Sequence, residues 1–545
     1  MTKTILIGGA AGLGSAVTSN IIGKVFCSLG YYVFNYRDYP SLIRGGHNFN
    51  VLQISDKPVY SHEEKYDIIL ALDQKTINLH QANLKKNGFL VGDKSLNAKK
   101  LYSIDTQAVL NKLCGPKILE NDIFIGYLCK IFGINEQIIF KVIDKEFKKK
   151  TDLIKKAVTY GYGLAEKKEE IKTQKKENYF ISGNEGIALG ALAGGADICF
   201  AYPMTPATAV LHILAKKELT HNILAVQMES EIAVINTALG ASFAGARVIV
   251  PTSGGGFALM TEAISLAGMA ELPIVVYLAQ RAAPSTGVPT YTAQGDLKFA
   301  LNAGHGEFPK IVLAPGDPQE SISRTEEAFY LSSKYRVPVI ILSDKHLGES
   351  TYTFDQLKQS KLGAQRFLLK NPLKNYKSYQ ITPTGVSPAA VPGQGPVVRG
   401  TSYEHDDYGF TIEDAAWIVK MQDKRLKKIR YITQEVNRLC PVSIYGKGKN
   451  LLVGWGSTKG AILDALPKLK GFRFMQISYL SPFPKEKVLK EIKSSNKVVL
   501  VENTATGLLA DVIAEQTGYI IKDKVLRYDA RPFTSEFLIG KLIKK

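Results

Sequence analysis

Glu231 lies in the stretch MESEIAV (residues 228–234), where an apolar strand pattern gives way to a helical one. Its neighbours three, four and seven residues on are Val234, Ile235 and Ala238, an apolar helical stripe. A carboxylate at the head of such a stripe has two readings. It can be a first-turn acid that answers the helix dipole, or an acid placed to hold a proton on a bound cofactor. Three other stretches bear on the choice: YPMTPAT (202–208), TSGGG (252–256) and QRAAPSTGVPT (280–290). Each has a structural reading of its own. Thr205-Pro206 suits an N-cap followed by proline at the first helical position, and Ser253 could cap the next helix. Arg281 could be a surface arginine. Yet Gly254, Gly255 and Gly256 would let backbone amides approach a ligand, and a planar guanidinium suits a carboxylate or phosphate.

The elements that must position these residues alternate. From residue 180 the pattern runs NEGIALGALAGGA as helix, ICFAYPM as strand, PATAVLHILAKKE as helix and LAVQM as strand. SEIAVINTALGASFAG, ARVIVP, FALMTEAISLAGMA and LPIVVYLAQ continue the alternation. This predicts an α/β fold with a parallel sheet covered by helices on both faces. Ligands of such sheets bind beyond the carboxyl ends of the strands. All four stretches fall there, so they converge on one edge.

The remaining chain divides by pattern. Residues 1–165 open with the strand TILIGG, a glycine turn and a helix, then further apolar strands. Residues 166–178 carry charge without apolar periodicity and read as a linker. The alternating domain covers 179–350, residues 351–445 read as irregular, and 446–545 alternate again as a smaller α/β domain. A chain of 545 residues accommodates this multi-domain plan.

Composition narrows the class. Hydrophobic content of 45% with 22% charge fits a soluble enzyme. The five cysteines are scattered without ligand spacing, which argues against a zinc site or cluster held by this chain and for a reducing compartment. The net charge of +19 comes largely from lysines in solvated runs such as KEFKKK. With no recognition helix or stacking pattern, it favours acidic ligands over nucleic acid. No run of apolar residues is long enough to cross a membrane, and the glycine-broken N-terminus does not read as a signal peptide. A cytoplasmic protein is expected. The glycine loop from Gly8 to Gly14 is not a dinucleotide fingerprint, and His405 with Asp406 and Asp407 lacks the further ligands of a metal site.

Taken in order, YPMTP, MESEIA, TSGGGFALM, ELPIVV with QR, and PSTGVPT with QGDL resemble the alpha chain of 2-oxoacid:ferredoxin oxidoreductases. The N-terminal GGAAGLG and YPSLIRGGHN resemble the gamma domain of that family, here fused ahead of it. TSYEHDD (401–407), SPFP (481–484) and ENTATGLLA (502–510) resemble its later motifs. The chain departs from the family pattern at Ala283, Gly255 and Leu508. The resemblance implies a pyrimidine-type thiamine-diphosphate domain in the centre and a transketolase C-terminal-like last domain. It makes Glu231 the catalytic glutamate that hydrogen-bonds the aminopyrimidine ring, with burial favouring proton sharing. Ser253, Gly254 and Gly255 would line the cofactor, and Thr205 and Arg281 would hold the substrate carboxylate. Arg44, Gly45 and Gly46 would contact coenzyme A.

The sequence has no GDG stretch for a magnesium-bound diphosphate and no clustered cysteines. By the resemblance, a beta subunit supplies Mg2+, the diphosphate site and a [4Fe–4S] cluster in a hetero-oligomer, and ferredoxin accepts electrons. The fused gamma–alpha arrangement favours 2-oxoglutarate. Pyruvate or a branched-chain 2-oxoacid, a thiamine-dependent enzyme without redox output, and a noncatalytic nucleotide-binding scaffold remain alternatives.

Overall fold

The run TKTILIGGAA forms a ten-residue strand, Thr2–Ala11, because its apolar side chains can be buried on both faces of a sheet. In the computed structural model, which describes residues 1–42, 45–149, 151–174, 178–357, 360 and 362–543, this strand lies inside an eight-stranded mixed sheet. It runs parallel to Tyr66–Ala71 and antiparallel to Gly45–Ser55. Gly12 and Gly14 take positive φ angles of 94° and 89°, turning the chain into the helix Ser15–Ser28. The sheet does not end with the N-terminal sequence. Thr351–Phe354 and Tyr179–Ser182 add to its edge, so both ends of the central unit are stitched into it. Residues 166–174 follow the surface of the first unit, with the Lys168 and Glu169 amides donating to the Ile131 carbonyl at 3.0 and 2.9 Å.

The central sheet has seven strands in the order Tyr479–Ser481, Ile311–Leu313, Pro338–Asp344, Ile274–Gln280, Val248–Thr252, Ile198–Ala201, Leu224–Gln227. Only the first, lent by the C-terminal unit, is antiparallel to its neighbour. Successive residues face opposite sides. Val250, Val276 and Leu278 pack with Val234, Ile235, Phe257 and Met260, while Ile249, Val275 and Tyr277 pack with Ile187, Val210 and Phe329. A sheet buried on both faces leaves its strand ends as the place for polar chemistry. The last unit carries five strands, four of them mutually parallel. No helix among the described residues is long and apolar enough to cross a membrane.

Residues 351–445 are not irregular throughout, as their pattern suggested. A 22-residue helix, Ala415–Val436, opens where the Asp414 side chain accepts from the Trp417 amide. Its buried face includes Lys424, Arg425 and Lys428, which read as solvent-facing in a sequence. Both lysines pair with the buried carboxylate of Glu271, so charge pairing interrupts an apolar stripe made by Met421, Ile432 and Val436.

The last unit is bolted to the central one through Gln294, which is fully buried. Its amide donates to the Asn503 carbonyl, its Oε1 accepts from the Asn503 amide, each at 2.9 Å, and its Nε2 donates to the Trp455 carbonyl, also at 2.9 Å. Gln294→Ala strands the buried Asn503 amide, while the Trp455 carbonyl keeps the Thr458 hydroxyl at 2.8 Å. A loss of about 1–3 kcal/mol is expected. It should appear as a lower denaturation midpoint and faster proteolysis after residue 281.

Candidate active site

Four adjacent parallel strands, Leu224–Gln227, Ile198–Ala201, Val248–Thr252 and Ile274–Gln280, end on one edge. Glu231 follows the first of them, in the opening turn of the helix Glu231–Phe243. Ser230 caps that helix, its hydroxyl accepting from the Ala233 amide at 3.2 Å, so the Glu231 carboxylate is not needed as a cap. An acid that only answered the dipole would face water. Glu231 instead is 5% exposed, and its Oε1 is buried with no hydrogen-bond partner among the described residues. Gly256 makes this possible. A Cβ there would stand 2.8 Å from both Cγ and Oε1 of Glu231 and 2.4 Å from Oγ1 of Thr252.

Ser253 begins the helix Gly254–Met269 without capping it, in contrast to the capping role its sequence context suggests. Its hydroxyl is buried and unpartnered, the second free oxygen on this edge. Gly255 is open, with nothing within 4 Å of a Cβ position, whereas at Gly254 a Cβ would meet Oδ2 of Asp296 at 2.6 Å.

Thr205 does not cap a helix either. The helix starts at Thr208, and the Thr205–Pro206 bond is cis. The Thr205 carbonyl instead accepts from Nη1 of Arg281 at 2.9 Å, which ties the ends of two strands together. The Arg281 Nε is buried and unpartnered. Burial holds this guanidinium below its ordinary value, with the nearby Asp296 carboxylate opposing the shift. An arginine with one side anchored and one donor free is suited to receive a carboxylate.

Asp296 carried no role in the sequence reading beyond its place in the QGDL stretch. It precedes the helix Leu297–Asn302 and makes no side-chain cap bond. Burial raises its carboxyl to about 6, with Arg281 opposing. The loop between Arg281 and Asp296 is held by the other units. Tyr291 donates to Oδ1 of Asp38 at 3.0 Å, and the Arg531 guanidinium lies 3.9 Å from the Tyr291 ring centre.

Gly45 and Gly46 lie in the first sheet and not on this edge. Both have positive φ, and the Gly45 Cβ position is open. Arg44 lies outside the described residues. His405 is buried, its ring 3.7 Å from that of Tyr379 and its Nδ1 at 2.9 Å from the Tyr403 carbonyl, which gives it a packing role. Among the described residues no group of three or more His, Cys, Asp or Glu is arranged to hold a metal.

An edge of this kind, on a parallel sheet covered by helices, defines an α/β enzyme with an acid at a strand end. Residues 189–424 match the family model described as "Pyruvate flavodoxin/ferredoxin oxidoreductase, thiamine diP-bdg", and residues 4–164 match "Pyruvate ferredoxin/flavodoxin oxidoreductase". The 2-oxoacid:ferredoxin oxidoreductase subunit alpha of a Sulfolobus species is 32% identical, the match covering 100% of this chain and 97% of that one. The 2-oxoglutarate synthase subunit KorA of Methanothermobacter thermautotrophicus is 29% identical over 60% of this chain and 88% of its own. The 2-oxoglutarate:ferredoxin oxidoreductase of Magnetococcus marinus, solved with 2-oxoglutarate, coenzyme A and succinyl-CoA bound, superposes with a TM-score of 0.89 at 27% identity, covering 100% of this chain and 99% of that one. The chain belongs to the 2-oxoacid:ferredoxin oxidoreductase family, in its alpha-subunit branch.

The Asp296 shift has a definite sign. The folded state keeps a proton up to about pH 6 that an unfolded carboxylate loses at its model value of 3.8. Its stabilising contribution is complete below the unfolded value and is lost as pH rises through about 6. Asp296→Asn should therefore raise the melting temperature at pH 8 and match the wild type at pH 4. Equal melting temperatures at pH 8 would remove the assigned strain.

Proposed function

We propose that this chain is the catalytic alpha subunit, with a gamma-type unit fused at its N-terminus, of an enzyme that oxidatively decarboxylates a 2-oxoacid. 2-Oxoglutarate is the favoured substrate, coenzyme A the acyl acceptor, and a ferredoxin the electron acceptor. Residues 1–165 are assigned to the gamma-type unit, 179–350 to the pyrimidine-type domain and 446–545 to the last domain. The observation that carries the reading is the buried, unpartnered carboxylate oxygen of Glu231 at the carboxyl edge, with the unpartnered Ser253 hydroxyl on the neighbouring strand end.

Those two oxygens and the open backbone at Gly255 fit the pyrimidine half of thiamine diphosphate, which would supply the carbon nucleophile and electron sink when bound. Glu231 would hold the proton shared with the ring, and its burial excludes water from that proton. Arg281, anchored on Thr205, would orient the substrate carboxylate through its free Nε. Asp296 would keep the guanidinium aligned. Gly45 and Gly46 are assigned to the coenzyme A path.

The half-site calls for a partner chain. The sequence has no stretch for a magnesium-bound diphosphate, so a beta subunit would bring Mg2+, that diphosphate site and the [4Fe–4S] cluster. Tyr202, Ile232, Leu259 and Val288, large apolar side chains on the elements that carry the site, are exposed, which suits a surface that a partner covers. The 2-oxoglutarate preference is supported by the names of the relatives and by the ligands in the Magnetococcus marinus structure. A cytoplasmic location fits the scattered free cysteines.

Two variants test the reading in anaerobic dye-reduction assays on material purified with its partner. Glu231→Gln should lower kcat by about 10²- to 10⁴-fold while the subunits still copurify. Near-normal turnover would overturn its role. Arg281→Ala should raise the KM for 2-oxoglutarate by about tenfold or more, since a charge-assisted hydrogen bond contributes about 1.5–3 kcal/mol. An unchanged KM would move the carboxylate site elsewhere.

A further inference from the structure

At the opposite edge of the central sheet, Arg247 immediately precedes the strand Val248–Thr252. It lines a cavity of about 60 Å³ together with Arg336, Arg366 and Arg399, against the apolar walls of Phe329 and Val391. That volume exceeds what one water needs. No described residue lining it is acidic.

Three of the guanidiniums are accounted for. Arg366, at the mouth with its side chain 45% exposed, forms a two-pronged pair with Asp197 at 2.8 and 2.6 Å. Arg336 donates to the carbonyls of Glu271 and Ser378, each at 3.1 Å. Arg399 lies 4.1 Å from the ring centre of Phe410. Arg247 is different. It is 6% exposed, and Nη1 donates to the Gln365 carbonyl at 3.2 Å. Its Nε and Nη2 are buried without a partner among the described residues. The nearby Asp197 is already engaged, by Arg366 and by the Arg247 backbone amide at 2.7 Å.

Nε and Nη2 form the side-on fork of a guanidinium, the pair of parallel donors that takes a carboxylate or phosphate in bidentate fashion. A buried cation with that fork empty is costly. Burial, then the neighbouring Arg366, pulls the Arg247 guanidinium down to about 10, while Asp197 opposes the shift. The guanidinium also lies 5.4 Å from the Phe329 ring centre, a contact that leaves the Nε and Nη2 donors unpaired.

We propose that this cavity is a binding site for a small oxyanion, a phosphate or a short-chain carboxylate, held bidentate by Arg247 with Arg366 at its mouth. An apolar tail of a few carbons would rest against Phe329 and Val391. The site is separate from the Glu231 edge and does not depend on the function proposed for it.

The test uses the full chain purified with its partner. Inorganic phosphate, propionate and sodium chloride are titrated at matched ionic strength. Thermal unfolding and, for phosphate, the phosphorus NMR line width are followed. Phosphate or propionate, but not chloride, should raise the midpoint saturably. A response to phosphate alone identifies a phosphate site, and one to propionate alone a carboxylate site. Arg247→Lys, which keeps the charge but loses the fork, and Arg366→Gln, on the exposed rim, should each weaken the apparent affinity by about tenfold or more. Glu231→Gln should leave the response intact. Shifts no larger than those of chloride, undiminished shifts in both arginine variants, or loss of the response in Glu231→Gln would each overturn the proposal.

Discussion

A carboxylate oxygen kept from water without a hydrogen-bond partner costs more than most single contacts in a fold return. Glu231 sits in that state, and much of the central domain can be understood as what holds it there. Ser230 takes over capping, so the carboxylate is not drawn to the helix amides. Gly256 leaves the space that any side chain would fill. Val234, Ile235 and Ala238, fully buried, lock the helix against the sheet. Removing any one of these would let the carboxylate relax toward solvent or backbone. Their combination keeps a proton acceptor dry and unattached, the condition a cofactor-bound proton needs.

The loop from Arg281 to Asp296 is constrained from three directions. Asp38 of the first sheet receives the Tyr291 hydroxyl, Asp344 of the central sheet receives the Thr292 hydroxyl at 3.0 Å, and the last unit grips Gln294. Asp344 is itself buried and raised by desolvation, and the same Oδ1 accepts from the Leu347 amide at 3.0 Å, so the contact is made by a carboxylate already fixed as a helix cap. A loop held only by its own turn would leave the Arg281 guanidinium free to sample many rotamers. Here the three units together fix where it points, which gives the joined architecture a chemical purpose.

Much of this was legible in the sequence because the relevant physics is local. Alternating apolar runs and stripes show a parallel sheet, a parallel sheet directs ligands to one edge, and Glu231 stands at the head of a stripe. What was hidden depended on distant partners. Thr205-Pro206 and Ser253 look like caps because caps are decided by residue type, whereas the Thr205 carbonyl meets Arg281 from a distant strand end and the Ser253 hydroxyl makes no cap bond. The helix Ala415–Val436 was concealed because half of its buried residues are cationic and the counter-charge for two of them, Glu271, lies more than a hundred residues upstream. Asp296 was concealed because only the fold brings it near Arg281. Arg247, one basic residue before a strand, has no local signature at all.

One strand connects the two edges of the central sheet. Val248–Thr252 begins after Arg247, whose fork of donors is unfilled, and ends at Ser253, whose hydroxyl is unfilled. Between them every residue is buried, and only Thr252 is polar. A strand so enclosed cannot satisfy its flanking polar groups from within the sheet. They must be met by loops, by a partner chain or by ligands. On the carboxyl edge the unmet groups are the Glu231 and Ser253 oxygens together with the Arg281 Nε donor. On the amino edge they are guanidinium donors, which suit an oxyanion. The same burial that stabilises the sheet therefore pushes its unsatisfied chemistry outward to both ends.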